Sequence, residues 1–327
     1  MLGRAGIRSA DGDLVVDLAV RIGRLALDNP IMPGSGTFAD GLDQALDLDR
    51  LGAFVTKSVT PGTRAGNPVP RVAETPSGML NSIGLPSKGI GDWLAHKLPF
   101  YLNFAPPLIT SVSADTVAEF AEMAAAVSVP GVAGIEANIS CPNIEKDGRA
   151  FAMEADVTER VIAGMCAATD LPVWAKLTPN TGDITEIARA AEAGGAEAVV
   201  VANTILGMAI DAETRRPILG SVTGGLSGPA VKPVILRMVL QCARAIGIPI
   251  VASGGISSAE DVVEFMLAGA SGAQVGTATF IHPTAMTRVI DGLIAYCERH
   301  GVERLAELIG AIEYPVMDPV LLAPIGS

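Results

Sequence analysis

At 327 residues the chain can form one large domain or two smaller ones, and length alone does not choose. Hydrophobic residues make up 49% of it and charged residues 18%, which supplies a large core and excludes intrinsic disorder. A net charge of -12 argues against non-specific binding to nucleic acid or anionic membrane, both of which need a basic surface.

Met1–Asp13 carries Arg4, Arg8, Asp11 and Asp13 with no signal-peptide pattern, and no unbroken apolar run reaches the roughly 18 residues of a membrane span. Cys141, Cys166, Cys242 and Cys297 are scattered with no CxxC pair, so no zinc site, iron–sulfur cluster or other metal is expected within the chain. A reducing cytoplasm is the expected compartment.

Alternating apolar residues over Leu14–Leu18, Val20–Gly23 and Leu25–Leu27 predict short strands, arranged as an N-terminal β-hairpin over one end of the domain. A repeating rhythm begins at Asn29. Short apolar runs cover Pro30–Met32, Ala53–Val59 (AFVTKSV), Pro107–Ser113 (PLITSVS) and Ile135–Ser140. Four more follow at Val173–Thr178 (VWAKLT), Ala198–Thr204 (AVVVANT), Pro249–Gly255 (PIVASGG) and Ala273–Ala278 (AQVGTA). Helical patterns alternate with them over Asp43–Leu51, Asp115–Ala126, Glu154–Ala168, Asp183–Ala193, Lys232–Ile246, Ala259–Ala268 and Pro283–Arg299.

Eight near-continuous apolar runs, each followed by a helix, predict a parallel sheet covered by helices. An eighth strand leading into a last helix favours a closed (β/α)8 TIM barrel of the α/β class over an open doubly wound sheet. Long βα-loop insertions are expected after strands 2, 4 and 6 (Thr60–Gly91, Cys141–Met153 and Ile205–Val231), on the face where barrel active sites are built. No linker or low-complexity segment divides residues 1–327, which read as a single domain.

The chemistry concentrates at Gly134–Asn143 (GIEANISCPN), a strand broken by Pro142 that ends in two carboxamides and a thiol. A thiol there serves as nucleophile, general base or metal ligand, or is simply a small buried hydrophobe. Lys57 and Lys176 lie inside candidate strands, where a lysine is costly unless it meets a negative partner: a core carboxylate such as Glu136, or an anionic or electron-rich ligand. Ser253-Gly254-Gly255 and Gly276-Thr277 end the last two strands, the usual phosphate seat of such barrels, so a phosphate-bearing cofactor is expected. Asn81, Asn138, Asn143, Asn203 and Thr204 recur near the other strand ends; singly they are turn-formers, together they suit a flat, hydrogen-bond-rich heterocycle. No histidine pairs convincingly with Cys141, which weakens a covalent-hydrolase reading.

Three long motifs, NISCPN at Asn138–Asn143, RAGNPVPRVAETPSGMLNSIGLPSKG at Arg64–Gly89 and NTILGMAIDAETRRPILGSVTGGLSGPAVKP at Asn203–Pro233, resemble the dihydroorotate dehydrogenases, nearest the class 1B catalytic subunits. The resemblance runs from about Leu25 to about Pro283. It implies FMN-dependent oxidation of dihydroorotate to orotate in pyrimidine biosynthesis, one FMN per chain. Cys141 is then the base that removes the C5 proton while the C6 hydride passes to flavin N5; a thiol titrates near enough to neutral pH for that role.

The resemblance also implies FMN contacts from Ser35, Lys57, Ser58, Ser111, Asn138, Lys176, Val201, Gly228, Gly254, Gly255, Gly276 and Thr277, with Lys176 at the N1–C2 carbonyl side. Substrate contacts are implied for Lys57, Asn81, Ser82, Ile83, Gly84, Leu85, Asn138, Asn143, Asn203 and Thr204. Ser111 stands where the family usually carries an asparagine that touches flavin; serine is shorter and offers one donor, so flavin affinity or potential is expected to differ. The implied partner is a second subunit carrying FAD and a 2Fe–2S cluster that passes electrons to NAD, around a homodimeric core, making a heterotetramer. Alternatives are a dihydropyrimidine dehydrogenase-like subunit, against which Asn143 speaks, a fumarate-linked class 1A-type enzyme, an aldolase using Lys57 or Lys176 as a Schiff-base amine, and a degenerate barrel kept only for binding.

Overall fold

β-branched and apolar residues dominate the eight runs that become strands, and in the computed structural model they pair as one parallel sheet. It describes residues 16–38, 42–140 and 150–314. The strands are β1 (Ile31–Pro33), β2 (Phe54–Val55), β3 (Leu108–Val112), β4 (Val132–Ala137), β5 (Val173–Lys176), β6 (Ala198–Val201), β7 (Ile250–Ser253) and β8 (Ala270–Val275). Their spatial order follows the chain, from β2 through β8 and on to β1. The seam between β1 and β2 is bridged by Gly52, whose N–H donates to the Ile31 carbonyl at 2.8 Å. A Cβ at Gly52 would lie 1.9 Å from the Asn29 carbonyl oxygen, so only glycine permits this approach. The result is the nearly closed (β/α)8 barrel that the rhythm predicts.

Helices fill the crossovers: α1 (Val117–Val127), α2 (Ala155–Ala167), α3 (Ile184–Ala193), α4 (Lys232–Ala243), α5 (Ala259–Leu267) and α6 (Ala285–His300). α1 and α5 start in reciprocal capping boxes, Thr116 with Glu119 and Ser258 with Asp261, which satisfy otherwise orphaned N–H groups. None of the helices is long and apolar enough to cross a membrane, among the described residues.

Two expectations need correction. Asp43–Leu51 is not a helix but two short 3-10 turns, Leu42–Gln44 and Leu48–Arg50. The Asp47 carboxylate accepts from the Asp49 N–H, a local bond that starts a new turn instead of continuing an old one. The regular part of the second strand stops at Val55 and its pairing resumes only at Val59, which bridges Val112, so Lys57 lies in the interruption and is exposed.

The N-terminal hairpin pairs Val20–Ile22 with Leu25–Leu27 and packs against the barrel's lower end. Ile22 is fully buried and sits over Gly272 of β8, while Leu25 reaches Gly134 of β4. At the other end, segments from two crossovers build one antiparallel sheet, in the order 205–208, 223–227, 78–81 and 72–75. Gly225 pairs with both Leu206 and Asn81 in that sheet. The segment expected as the second insertion, after strand 4, begins at Cys141, and residues 141–149 lie outside the described residues.

Candidate active site at the C-terminal ends of the strands

Barrel strands point their carboxyl ends to one face, and candidates among the described residues, such as Lys176, Asn138 and Asn203, lie at or just beyond those ends. Lys176 closes β5 at 4% exposure, which demands compensation. Its Nζ donates to Gln274 Oε1 at 2.9 Å and to Ser35 Oγ at 3.3 Å. Gln274 Nε2 in turn donates to Glu136 Oε2 at 2.6 Å, and the second Glu136 oxygen lies 3.9 Å from Nζ. An amide with one donor and one acceptor end is what couples an ammonium to a carboxylate in this way. The core-carboxylate reading therefore holds for Lys176.

It fails for Lys57, which has no bonded carboxylate among the described residues. Crowding by the surrounding protein, with the Arg71 guanidinium nearby, holds its ammonium below the usual lysine range. A cation that is reachable from solvent and has no such partner suits an anionic ligand better than a structural role.

A run of short side-chain hydrogen bonds crosses the ends of four strands. Ser111 Oγ in β3 lies 2.9 Å from Ser58 Oγ, and Ser58 Oγ accepts from Asn138 Nδ2 at 2.8 Å. Ser140 Oγ donates to Asn138 Oδ1 at 2.6 Å and accepts from Asn203 Nδ2 at 2.5 Å. The Thr204 backbone N–H donates to Asn203 Oδ1 at 2.8 Å. Ser58, Ser111 and Asn138 are buried, so the bonds among them satisfy groups that water does not reach, while Ser140, Asn203 and Thr204 are partly buried. Ser111, expected beside flavin, is fully buried against Ser58, and its own N–H donates to Thr56 Oγ1 at 3.1 Å.

The glycines meet on the opposite side. Gly228 (φ +100°), Gly254 (φ +157°) and Gly255 (φ +76°) adopt backbone conformations that side chains rarely take. A Cβ on Gly255 would fall 2.9 Å from the Gly228 carbonyl oxygen, and one on Gly228 would come 3.6 Å from Thr277 Cγ2. Thr277 Oγ1 donates to Ser227 Oγ at 2.8 Å, and Gly276 packs against Thr37. Crossovers six, seven and eight thus converge as bare backbone.

The added sheet brings the remaining polar groups together. Asn81 Nδ2 donates to the Gly225 carbonyl at 3.3 Å. Gly225 also abuts Thr204, whose Oγ1 would lie 1.8 Å from a Cβ there. Ser82 accepts from Asn67 and from Ser221, and the Ile83 carbonyl accepts from the Asn67 N–H at 3.1 Å. Gly84 and Leu85 follow, both at positive φ. Val201 ends β6 fully buried. Cys141 and Asn143 lie outside the described residues.

Four contributors are invisible to sequence reasoning. Gln274 sits in the apolar run of β8, and Ser140 looks like a turn residue. Asn180 holds the β6 end by donating to the Thr204 carbonyl and accepting from the Leu206 N–H, at 3.0 and 2.8 Å. Asn67 braces the 81–85 segment. A polar residue of the right length on a neighbouring strand is the only available signal, and it needs the register to be read. The remaining thiols are structural: burial pushes Cys166 and Cys297 up, and Cys242 up to about 12.

Known proteins agree with this geometry. The family model described as dihydroorotate dehydrogenase matches residues 17–296. A Trichlorobacter lovleyi protein is 48% identical over 299 residues, covering 90% of this chain and 98% of its own length; it is named dihydroorotate dehydrogenase B (NAD(+)), catalytic subunit. Proteins of the same name from Bacteroides fragilis and Thermoanaerobacter pseudethanolicus are 47% and 45% identical. Each covers 91% of this chain, and this chain covers 100% and 99% of them. Barrel, motifs and relatives together settle the lineage: the chain belongs to the dihydroorotate dehydrogenase family.

Proposed function

We propose that this chain oxidises dihydroorotate to orotate in pyrimidine biosynthesis, with one FMN per chain, as an NAD-linked class 1B catalytic subunit. The observation that carries the reading is the pairing of a glycine-lined cradle with a carboxamide-lined wall across one barrel mouth. The cradle fits a phosphate: Gly228, Gly254 and Gly255 hold positive φ at adjoining crossovers and carry no side chain over their backbone N–H groups, which suits an anion. The wall fits a flat cyclic amide, because Asn138 and Asn203 each retain donor and acceptor capacity beyond the bonds described above.

Bound FMN supplies a two-electron acceptor for the hydride leaving substrate C6. The chain's own residues do the rest. Cys141 Sγ takes the C5 proton, so that one C–H bond breaks as a proton and the other as a hydride, leaving the C5–C6 double bond of orotate. Lys57 draws the substrate carboxylate, with Asn81, Ser82, Asn143, Thr204 and the 83–85 backbone holding the ring. Ser35, Ser58, Val201, Gly254, Gly276 and Thr277 complete the FMN contacts. Lys176, fixed by Gln274 and Ser35, offers positive charge where negative charge develops on reduction.

Electrons then pass to NAD through a partner subunit with FAD and a 2Fe–2S cluster, on a homodimeric core in the cytoplasm. This part rests on the resemblance and on the relatives' title of catalytic subunit. The test is direct. The purified chain, given dihydroorotate and an artificial acceptor, is expected to accumulate orotate, read from its ultraviolet absorbance. It should not reduce NAD until the partner is added. No orotate with any acceptor contradicts the activity, and NAD reduction by the chain alone contradicts the partner.

A further inference from the structure

We propose that Ser140 is a positioning residue that fixes the polarity of the two central carboxamides, Asn138 and Asn203, through a one-way hydrogen-bond relay. The inference rests on the reading above, in which those amides face substrate.

The direction is set at one end. A backbone N–H only donates, so the Thr204 N–H, 2.8 Å from Asn203 Oδ1, determines which way the Asn203 amide is turned. Its Nδ2 then faces Ser140 Oγ at 2.5 Å. An amide nitrogen has no lone pair to offer, so Ser140 must accept there, and its single proton goes to the oxygen 2.6 Å away, Asn138 Oδ1. The Asn138 amide is thereby turned too, with Nδ2 donating to Ser58 Oγ at 2.8 Å. Ser58 is left with its own proton for Ser111 Oγ at 2.9 Å.

Nothing at the other end of the relay supplies this direction. Ser58 and Ser111 are hydroxyls, which rotate to donate or accept equally well. If Ser140 were absent, the Asn138 side chain would be bonded, among the described residues, only to a hydroxyl that tolerates either amide orientation. Among the described residues, Ser140 is therefore the single link between Asn138 and a donor that cannot reverse. Through it the two amides share one polarity, each keeping one N–H and one lone pair for a ligand.

The test compares Ser140→Ala with Ser140→Thr, which keeps the hydroxyl, in FMN-loaded protein. Orotate affinity is read from the perturbation of flavin absorbance. Ser140→Ala is expected to weaken orotate by about tenfold, the loss of roughly one well-formed hydrogen bond. Ser140→Thr should recover most of that. Unchanged affinity in Ser140→Ala overturns the proposal, as do equal losses in both variants, which would mean that shape and not the hydroxyl matters. A second readout does not depend on the ligand. In 15N-asparagine-labelled protein, the Asn138 and Asn203 side-chain N–H protons should exchange with solvent at least about tenfold faster in Ser140→Ala. Should the unaltered protein bind no orotate, the substrate reading falls while exchange still judges the relay: unchanged exchange overturns it.

Discussion

The two sides of the barrel mouth are built from different materials. On one side, Gly228, Gly254, Gly255 and Gly276 strip the surface to backbone, and a Cβ at any of the first three would meet neighbouring protein atoms within 2.8 Å. On the other, Ser58, Ser111, Asn138, Ser140 and Asn203 hold one another side chain to side chain. The first arrangement suits a ligand part that needs many identical donors, such as a phosphate. The second suits a part whose donors and acceptors must be told apart, such as the edge of a substrate ring. Cofactor retention and substrate chemistry should therefore be separable by mutation.

The largest effect is expected from Cys141→Ala. It should slow flavin reduction by dihydroorotate about 10²–10⁴-fold, the range for losing a general base, with FMN retained. Stopped-flow absorbance measures this, and loss of FMN from the variant would break the separation. Next is Lys176→Met, which leaves the fully buried Glu136 carboxylate without its cation. Removing one partner of a buried pair costs about 3–5 kcal/mol, readable in denaturant unfolding. Replacing Glu136 by leucine in the same protein should recover much of that loss. If it does not, the Lys176–Gln274–Glu136 chain is not the stabilising unit described here.

On the cradle side, Gly255→Ala forces a Cβ to within 2.8 Å of Lys232 Cβ at a positive φ. The overpacking should cost about 1–3 kcal/mol of stability, readable in denaturant unfolding, and the displaced 254–255 backbone should weaken FMN binding, measured by flavin fluorescence. Orotate should still bind normally once FMN is saturating. The smallest effect concerns pH. Lys57 draws a carboxylate only while protonated, and crowding with the nearby Arg71 lowers its pKa, so orotate affinity should fall on the alkaline side earlier than a free lysine would dictate. Arg71→Leu removes one of the two lowering influences, so that alkaline limb should move to higher pH. A limb that stays put, or moves down, removes Lys57 from substrate binding.

What the sequence revealed divides along the same line. The barrel followed from the alternation of apolar runs and helical patterns, and the cradle from glycine pairs at two consecutive strand ends, because both depend on local residue type. The relay was hidden. Ser58 and Ser111 are 53 residues apart, and Ser140 and Asn203 are 63 apart, so only strand register brings them into contact. Gln274 was masked by the apolar run around it. Lys57 and Lys176 looked alike as strand lysines until the regular pairing of β2 proved to break between Val55 and the Val59–Val112 bridge. That break, caused by nothing in the apolar pattern of AFVTKSV, separates an exposed cation from a buried one.

The central claim is that this barrel passes hydride from dihydroorotate to bound FMN. Anaerobic mixing of the purified chain with dihydroorotate, while following flavin absorbance, tests it most directly. The account predicts a yellow protein that bleaches with dihydroorotate and not with dihydrouracil. A yellow protein that dihydroorotate leaves unbleached, or a colourless one that FMN does not restore, would contradict it.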